Sequence, residues 1–391
     1  MSNVFFLGLI SFFTDLSTEM IYPLIPLYLV SAFGATPALV GIIEGIAESL
    51  ASLLKVYSGY LTDRFQKKKA IAFSGYAASM FYKITLLFAG SWLGILGARV
   101  IDRIGKGIRT APRDVLVSES ADSGNMGKAF GLHKALDMWG AGLGILITYF
   151  LIRNSSGDYD YKRLFTLSII PAVLGLIMFF FVKEKVTVRE VKKREPFWKN
   201  IKKINGQLKL YLAVVFIFTL GHSSNAFFVL KAKTLGFDDA NVILLFFIFH
   251  AIAAALSMPV GKLSDKIGRK NLLVPGYIAF SICYFGFAFA GSQLMLYGVF
   301  ALFGVYTALI AGVERAFIAE ISPPELKGTM LGLHSTLAGI ALLPASIIAG
   351  LLWNKFGSTV PFLFGASLSL VAALLLLIFM KGGKGKAAAE A

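Results

Sequence analysis

Apolar blocks of about 20 residues alternate with short polar hinges along almost the whole chain, and 20 residues is the length at which an α-helix crosses a bilayer. They fall near 4–31, 37–61, 70–90, 92–118, 125–152 and 162–183, then 209–232, 239–261, 271–290, 293–320, 326–353 and 358–380. The pattern predicts an all-α membrane protein of about twelve transmembrane helices in two six-helix bundles. The expected divisions are a first bundle over 1–183, a basic linker over 184–208, a second bundle over 209–381 and a tail over 382–391. The linker, with Lys192, Lys193, Arg194, Trp198 and Lys199, reads either as an interfacial helix anchored by Trp198 or as a solvated tether.

Composition agrees with the pattern. The chain is 57% hydrophobic and 15% charged with a mean hydropathy of +0.73, against about a quarter charged for soluble domains. The net charge of +16 does not point to nucleic acid, because the basic residues cluster in every second loop. One set of loops holds Arg64, Lys67, Lys68 and Lys69, the linker, Lys262, Lys266, Arg269 and Lys270, and the lysine-rich tail. The positive-inside rule makes that set cytoplasmic, so both termini are expected inside a cell membrane. Asp15 and Glu19 within the first span argue against a cleavable signal peptide. The single cysteine, Cys283, excludes an internal disulfide and a cysteine metal site.

The halves echo one another. Gly59-Tyr60-Leu61-Thr62-Asp63-Arg64 recurs as Gly261-Lys262-Leu263-Ser264-Asp265-Lys266, and Gly127-Lys128-Ala129-Phe130-Gly131-Leu132-His133 as Gly328-Thr329-Met330-Leu331-Gly332-Leu333-His334. Two echoes in nearly the same register mean a duplicated six-helix unit. At these residues the chain resembles the major facilitator superfamily, whose Gly-x-Leu-x-Asp-Arg-x-Gly-Arg-Lys signature lies between the second and third spans, with a weaker copy between the eighth and ninth. Here the second copy runs from Gly261 to Lys270 and includes Gly268 and Arg269, whereas the first has Gln66 where glycine is usual. The resemblance implies a monomeric transporter with no cofactor. The block from Arg99 to Asp114 resembles a prokaryotic branch of that superfamily. Gly140, Gly142 and Gly144 stand where exporters often carry a Gly-Pro motif, but Ile145 replaces the proline, so the motif favours export only mildly.

Candidate chemistry lies in charges at membrane depth, each costing on the order of 3 kcal/mol at mid-bilayer on insertion scales. Arg99, Asp102, Arg103, Lys106, Arg109 and Arg113 recur every three or four residues in the fourth span. They share an arc of roughly 120° that cannot face lipid. Asp15 and Glu19 lie one turn apart in the first span, Glu44 and Glu48 share a face of the second with Lys55, and His133 and Asp137 pair on the fifth. These groups form either a structural salt-bridge lattice or a substrate and proton pathway, and the pathway is assigned to Asp15, Glu19, Glu44, Glu48, Arg99, Asp102, Arg103, Lys106, His133 and Asp137. Gly59, Asp63, Arg64, Arg113, Gly261, Asp265 and Arg269 are assigned to a cytoplasmic gate, with the two aspartates accepting from facing helix N-termini. Glu314 and Arg315 read as structural.

The reading is a secondary transporter working by alternating access. It is expected to couple proton entry to efflux of a small anionic or zwitterionic solute, with an acid such as Asp15 or Glu19, competing for Arg99 or Arg103, loading a proton from outside and releasing it inside. Uptake of an organic anion and export of a transition metal are the alternatives, the latter from His222, His250 and His334. Outside the transporter class stands a receptor or scaffold. The expected partners are solute, protons and lipid, and no nucleic acid. Gly105-Lys106-Gly107 lacks P-loop spacing, and neither a zinc-protease histidine pair nor a nucleophile elbow is present, so the chain is read as no enzyme, with no catalytic residue and no metal site.

Overall fold

A computed structural model describes residues 2–65, 67–120, 126–153, 160–184, 206–310, 313–322 and 327–380. The basic linker and the tail expected from the sequence therefore lie outside the described residues. So do the surroundings of Gly59 and Gly261 and the side chains of Asp63, Arg64 and Asp265, although their backbones lie on helices.

Fifteen α-helices and no strand occur among the described residues: α1 (Ser2–Glu19), α2 (Leu24–Phe33), α3 (Pro37–Phe65), α4 (Lys68–Leu87), α5 (Trp92–Glu119), α6 (Met126–Ile152), α7 (Tyr161–Met178), α8 (Gly206–Gly221), α9 (Ala226–Thr234), α10 (Asp239–Ile267), α11 (Lys270–Phe289), α12 (Gln293–Ile310), α13 (Val313–Ile321), α14 (Lys327–Phe356) and α15 (Val360–Phe379). Among the described residues, eleven segments are long and apolar enough to cross a membrane. The α5 helix is not among them because its charges depress its hydropathy, yet its 28 residues extend about 42 Å, ample for a crossing.

Two spans expected to be continuous are broken. The first ends at Glu19 and resumes at Leu24. Pro23 has no N–H to bond the Glu19 carbonyl and its ring clashes there, so α1 stops at that residue. The seventh divides at 222–225, where Ser224 Oγ accepts from Ala226 N at 3.2 Å and restarts the helix as α9. Non-helical backbone at membrane depth survives only where protein or a cavity surrounds it, so these breaks mark the interior.

The chain divides into two compact units, one of residues 1–36, 46–192 and 237–247 and the other of 37–45, 193–236 and 248–391. In the N-terminal unit α1 packs on α6 and α7, and α4 on α5 and α7. Glycines set the closeness of the α1–α6 contact. A Cβ on Gly140 would overlap the Phe12 carbonyl oxygen, and one on Gly144 the Leu16 carbonyl oxygen. Gly140 and Gly144 thus serve backbone-to-backbone approach. Gly140→Val is expected to cost about 1–3 kcal/mol, because a carbonyl on a packed helix cannot swing aside. Gly142→Val, whose Cβ would meet nothing within 4 Å, should leave the melting temperature in detergent unchanged. Equal melting of both variants would refute this account of the contact.

In the C-terminal unit α8 packs on α14 and α15, and α11 on α12 and α15. Its core is aromatic: Phe218 stacks on Tyr277 at 4.1 Å, Phe280 on Tyr284 at 4.0 Å and Phe228 on Phe287 at 4.3 Å. With no difference in hydrophobic drive between lipid and core, such shape-matched ring packing supplies the dispersion energy that holds the helices together.

Candidate functional site: a buried charge lattice on the fourth span

The α5 helix starts at Ser91, whose hydroxyl accepts from Gly94 N at 3.2 Å, and then runs as an amphipathic rod. Arg99, Asp102, Arg103 and Arg109 on one face are at most 5% exposed, while Lys106 and Arg113 are half-buried. The single-face arc expected from the sequence is therefore turned into protein.

Arg103 Nη2 lies 2.7 Å from Glu48 Oε1 on α3, and its Nη1 lies 3.8 Å from Asp102 Oδ2. Arg99 Nη1 approaches the same Asp102 oxygen at 3.7 Å. Both guanidinium groups also face the Tyr22 ring, at 5.3 and 5.7 Å from its centre, a cation–π contact in a dry setting. Asp102 thus sits between two arginines as the counter-charge that lets them be buried together.

Nearly two turns further along, Arg109 donates to Ser79 Oγ at 2.8 Å, lies over the Tyr76 ring at 4.6 Å and approaches Asp15 Oδ1 at 3.8 Å. A close α4–α5 contact makes this possible, since a Cβ on Gly75 would lie 2.7 Å from the Gly105 carbonyl oxygen. The partner of Asp15 is therefore Arg109 and not Arg99 or Arg103, a correction to the expected competition. The Asp15 carboxyl also faces that of Asp137.

On α6 the expected pairing of His133 with Asp137 is replaced by two separate contacts. His133 Nε2 lies 3.0 Å from Ser11 Oγ, which in turn lies 3.1 Å from Tyr76 Oη. Lys134 Nζ donates to Asp137 Oδ2 at 2.6 Å. Helical periodicity placed His133 and Asp137 on one face, but each found a nearer partner. Glu19 ends α1, and its Oε2 is buried without a hydrogen-bond partner among the described residues. Glu44 is buried on α3, one turn before Glu48.

One participant was missed in the sequence. Lys83 on α4 is completely buried, donating to Ser79 O at 2.8 Å and to Thr18 Oγ1 at 3.5 Å. A lysine in the middle of an apolar block carries the same signal that singled out the fourth span.

Of the residues assigned to a gate from the sequence, Arg113 and Arg269 find partners within their own units. Arg113 pairs with its neighbour Asp114 at 2.8 Å, and Arg269 with Glu320 at 2.7 Å. The equivalent pair in the N-terminal unit joins Lys68 to Glu119 at 2.6 Å, so the basic run after each signature staples the third span of its half to the fourth. The side chains of Asp63, Arg64 and Asp265 and the surroundings of Gly59 and Gly261 lie outside the described residues, and their assignment to a gate is left there.

A model of the Major Facilitator Superfamily matches residues 7–238 and 210–390. The MFS-type transporter MJ1317 of Methanocaldococcus jannaschii is 38% identical over 381 residues, covering 96% of this chain and 94% of its own. The multidrug resistance protein MdtH of Photorhabdus laumondii is 22% identical over 319 residues, covering 80% of this chain and 77% of its own. The crystal structure of the nucleoside transporter NupG superposes with a TM-score of 0.80 at 11% identity, covering 97% of this chain and all of that one, and so attests the fold alone. Two bundles of apolar helices, a duplicated signature and these matches agree, and the chain belongs to the Major Facilitator Superfamily, as a multi-pass membrane transporter and not an enzyme.

Proposed function

We propose that the protein is a proton-coupled exporter of a small zwitterionic or anionic organic solute, placed in the cell membrane with both termini in the cytoplasm. The observation that carries this reading is Lys106. It is half-buried on the charged face of α5, one turn from Arg103, yet no hydrogen bond or ion pair engages its ammonium among the described residues. A desolvated cation whose facing carboxylate, Glu48, is already held by Arg103 is set to receive a further counter-charge from a ligand. Arg99 and Arg103, already neutralised by Asp102 and Glu48, frame it and are not themselves the receptor.

Asp15 supplies the coupling. As a carboxylate it holds the cationic end of a zwitterion near Arg109. A proton arriving on Asp15 removes that counter-charge and loosens the 3.8 Å contact with Arg109, so proton binding and solute binding exclude one another. The MdtH relative, described as a multidrug resistance protein, lends export some support at low identity. Alternating access would present the site to each side in turn.

The test is proton movement in liposomes carrying the full chain and a pH-sensitive dye, screened with organic zwitterions, anions and cations. A solute-triggered pH change is expected that disappears in Asp15→Asn. Flux of labelled solute without a pH response would rule out proton coupling, and a pH response surviving Asp15→Asn would remove that residue from it.

A further inference from the structure

The C-terminal unit also holds a cation that the charge lattice does not use. Lys231 lies in the last turn of α9, the helix that restarts the seventh span after its break, and is only 5% exposed. No hydrogen bond or ion pair engages its ammonium among the described residues, and no charged group faces it. Covering an ammonium without supplying an acceptor is unfavourable, so the position calls for a reason.

The fold does not supply one. The offset that relates Gly127 to Gly328 also relates α2 to α9 and Val30 to Lys231, and Val30 is apolar and 40% exposed. A lysine that anchors a span at the headgroups runs its stem along lipid and keeps it exposed, whereas Lys231 is covered. Nor does its ammonium close the helix end, where other donors serve the carbonyls. Leu235 N donates to Ala232 O and Gly236 N to Lys233 O, Thr234 Oγ1 donates to Lys231 O at 2.7 Å, and Gln293 Nε2 to Gly236 O at 3.2 Å. One turn earlier Phe227 lies 5.9 Å from the Trp353 ring and Phe228 stacks on Phe287, so the lysine stem follows an aromatic core toward the end of the bundle.

That end is cationic by sequence. Residues 226–236, 288–293 and 353–362, which finish α9, α11 and α14 and begin α12 and α15, contain Lys231, Lys233 and Lys355 and no aspartate or glutamate. An ammonium already stripped of water, among neutral groups, attracts an oxyanion more strongly than a hydrated one does.

From this arrangement we infer that Lys231 binds an oxyanion, the carboxylate or phosphate group of the transported solute, at the end of the C-terminal unit remote from the Arg269–Glu320 pair. The inference rests on the proposed export of an anionic or zwitterionic solute, for which this end is the outer mouth. Lys106 receives the anionic group in the N-terminal unit, and Lys231 receives it in the C-terminal unit on the way out.

The test uses the full-length protein in a maltoside detergent, which carries neither phosphate nor carboxylate. A water-soluble amine-acylating reagent is added, and modification of Lys231 and of the exposed Lys355 is followed by mass spectrometry in one sample. Inorganic phosphate and glutarate should each slow modification of Lys231 by about tenfold at ten times their dissociation constants, and leave Lys355 unchanged. Equal slowing of both lysines would reduce the effect to ionic strength and overturn the site. So would a Lys231 that reacts equally with and without the anions, or one that never reacts and is therefore sealed from them. Protection that appears only when phosphatidylglycerol is added back would make the occupant a lipid headgroup and overturn the assignment to solute. The labelling needs no transported solute and no proton gradient, so it and the liposome experiment fail separately.

Discussion

Arg103→Ala is expected to destabilise the protein by about 3 kcal/mol, at the low end of the range for breaking a buried ion pair. The loss comes from what is left behind. Glu48 loses its 2.7 Å partner, and Asp102, at 2% side-chain exposure, keeps only Arg99 at 3.7 Å to balance it. The Glu48 side chain is 28% exposed, which softens the penalty, since water reaches part of that carboxylate. Arg103→Lys should be intermediate, because a lysine keeps the charge but cannot serve Glu48 and Asp102 together with a planar fork. The pair Arg103→Met with Glu48→Gln should recover much of the loss, since both charges leave together. Thermal unfolding in detergent reads all three. Melting of Arg103→Ala within a degree of the parent protein would mean that the lattice is not structural and that Arg103 is free to meet a ligand.

This expectation separates two roles that the sequence alone left superposed. The heptad-like spacing from Arg99 to Arg113 showed that the charges share a face, because 100° per residue is a property of the backbone. It could not show which counter-charge each would meet, since Asp15 and Arg109, or Ser11 and His133, lie about a hundred residues apart and are brought together by tertiary packing. The spans were legible for a similar reason, because apolar length is a one-dimensional property. The breaks at 20–23 and 222–225 were not, although Pro23 is visible, because hydropathy runs on through them while hydrogen bonding does not. Gly140 and Gly144 illustrate the limit most directly. As letters they suggested an exporter motif lacking its proline; in three dimensions they let α6 lie against the α1 backbone and so carry Asp137 to Asp15.

Lys106→Gln should behave oppositely to Arg103→Ala, and the contrast distinguishes a ligand contact from a lattice member. The Lys106 ammonium has no ion-pair partner within 4 Å among the described residues, and the Glu48 carboxylate that faces it keeps Arg103, so its removal strands no buried carboxylate and the melting temperature should hold. Relief of repulsion from the neighbouring Arg103 acts in the same direction. Solute flux, in contrast, should fall by on the order of 100-fold, about 2.7 kcal/mol, the magnitude expected when one side of a desolvated charge pair is deleted. Lys106→Arg should keep part of the flux, since the positive charge stays while its position and shape change. The solute's own charge gives a second axis: analogues lacking the anionic group should lose their advantage in the parent protein and be indifferent to Lys106→Gln. Flux equal to the parent's in Lys106→Gln would exclude the residue as the anion contact. A drop in stability as large as that of Arg103→Ala would place Lys106 within the lattice, leaving the solute's counter-charge to be sought elsewhere on the same face.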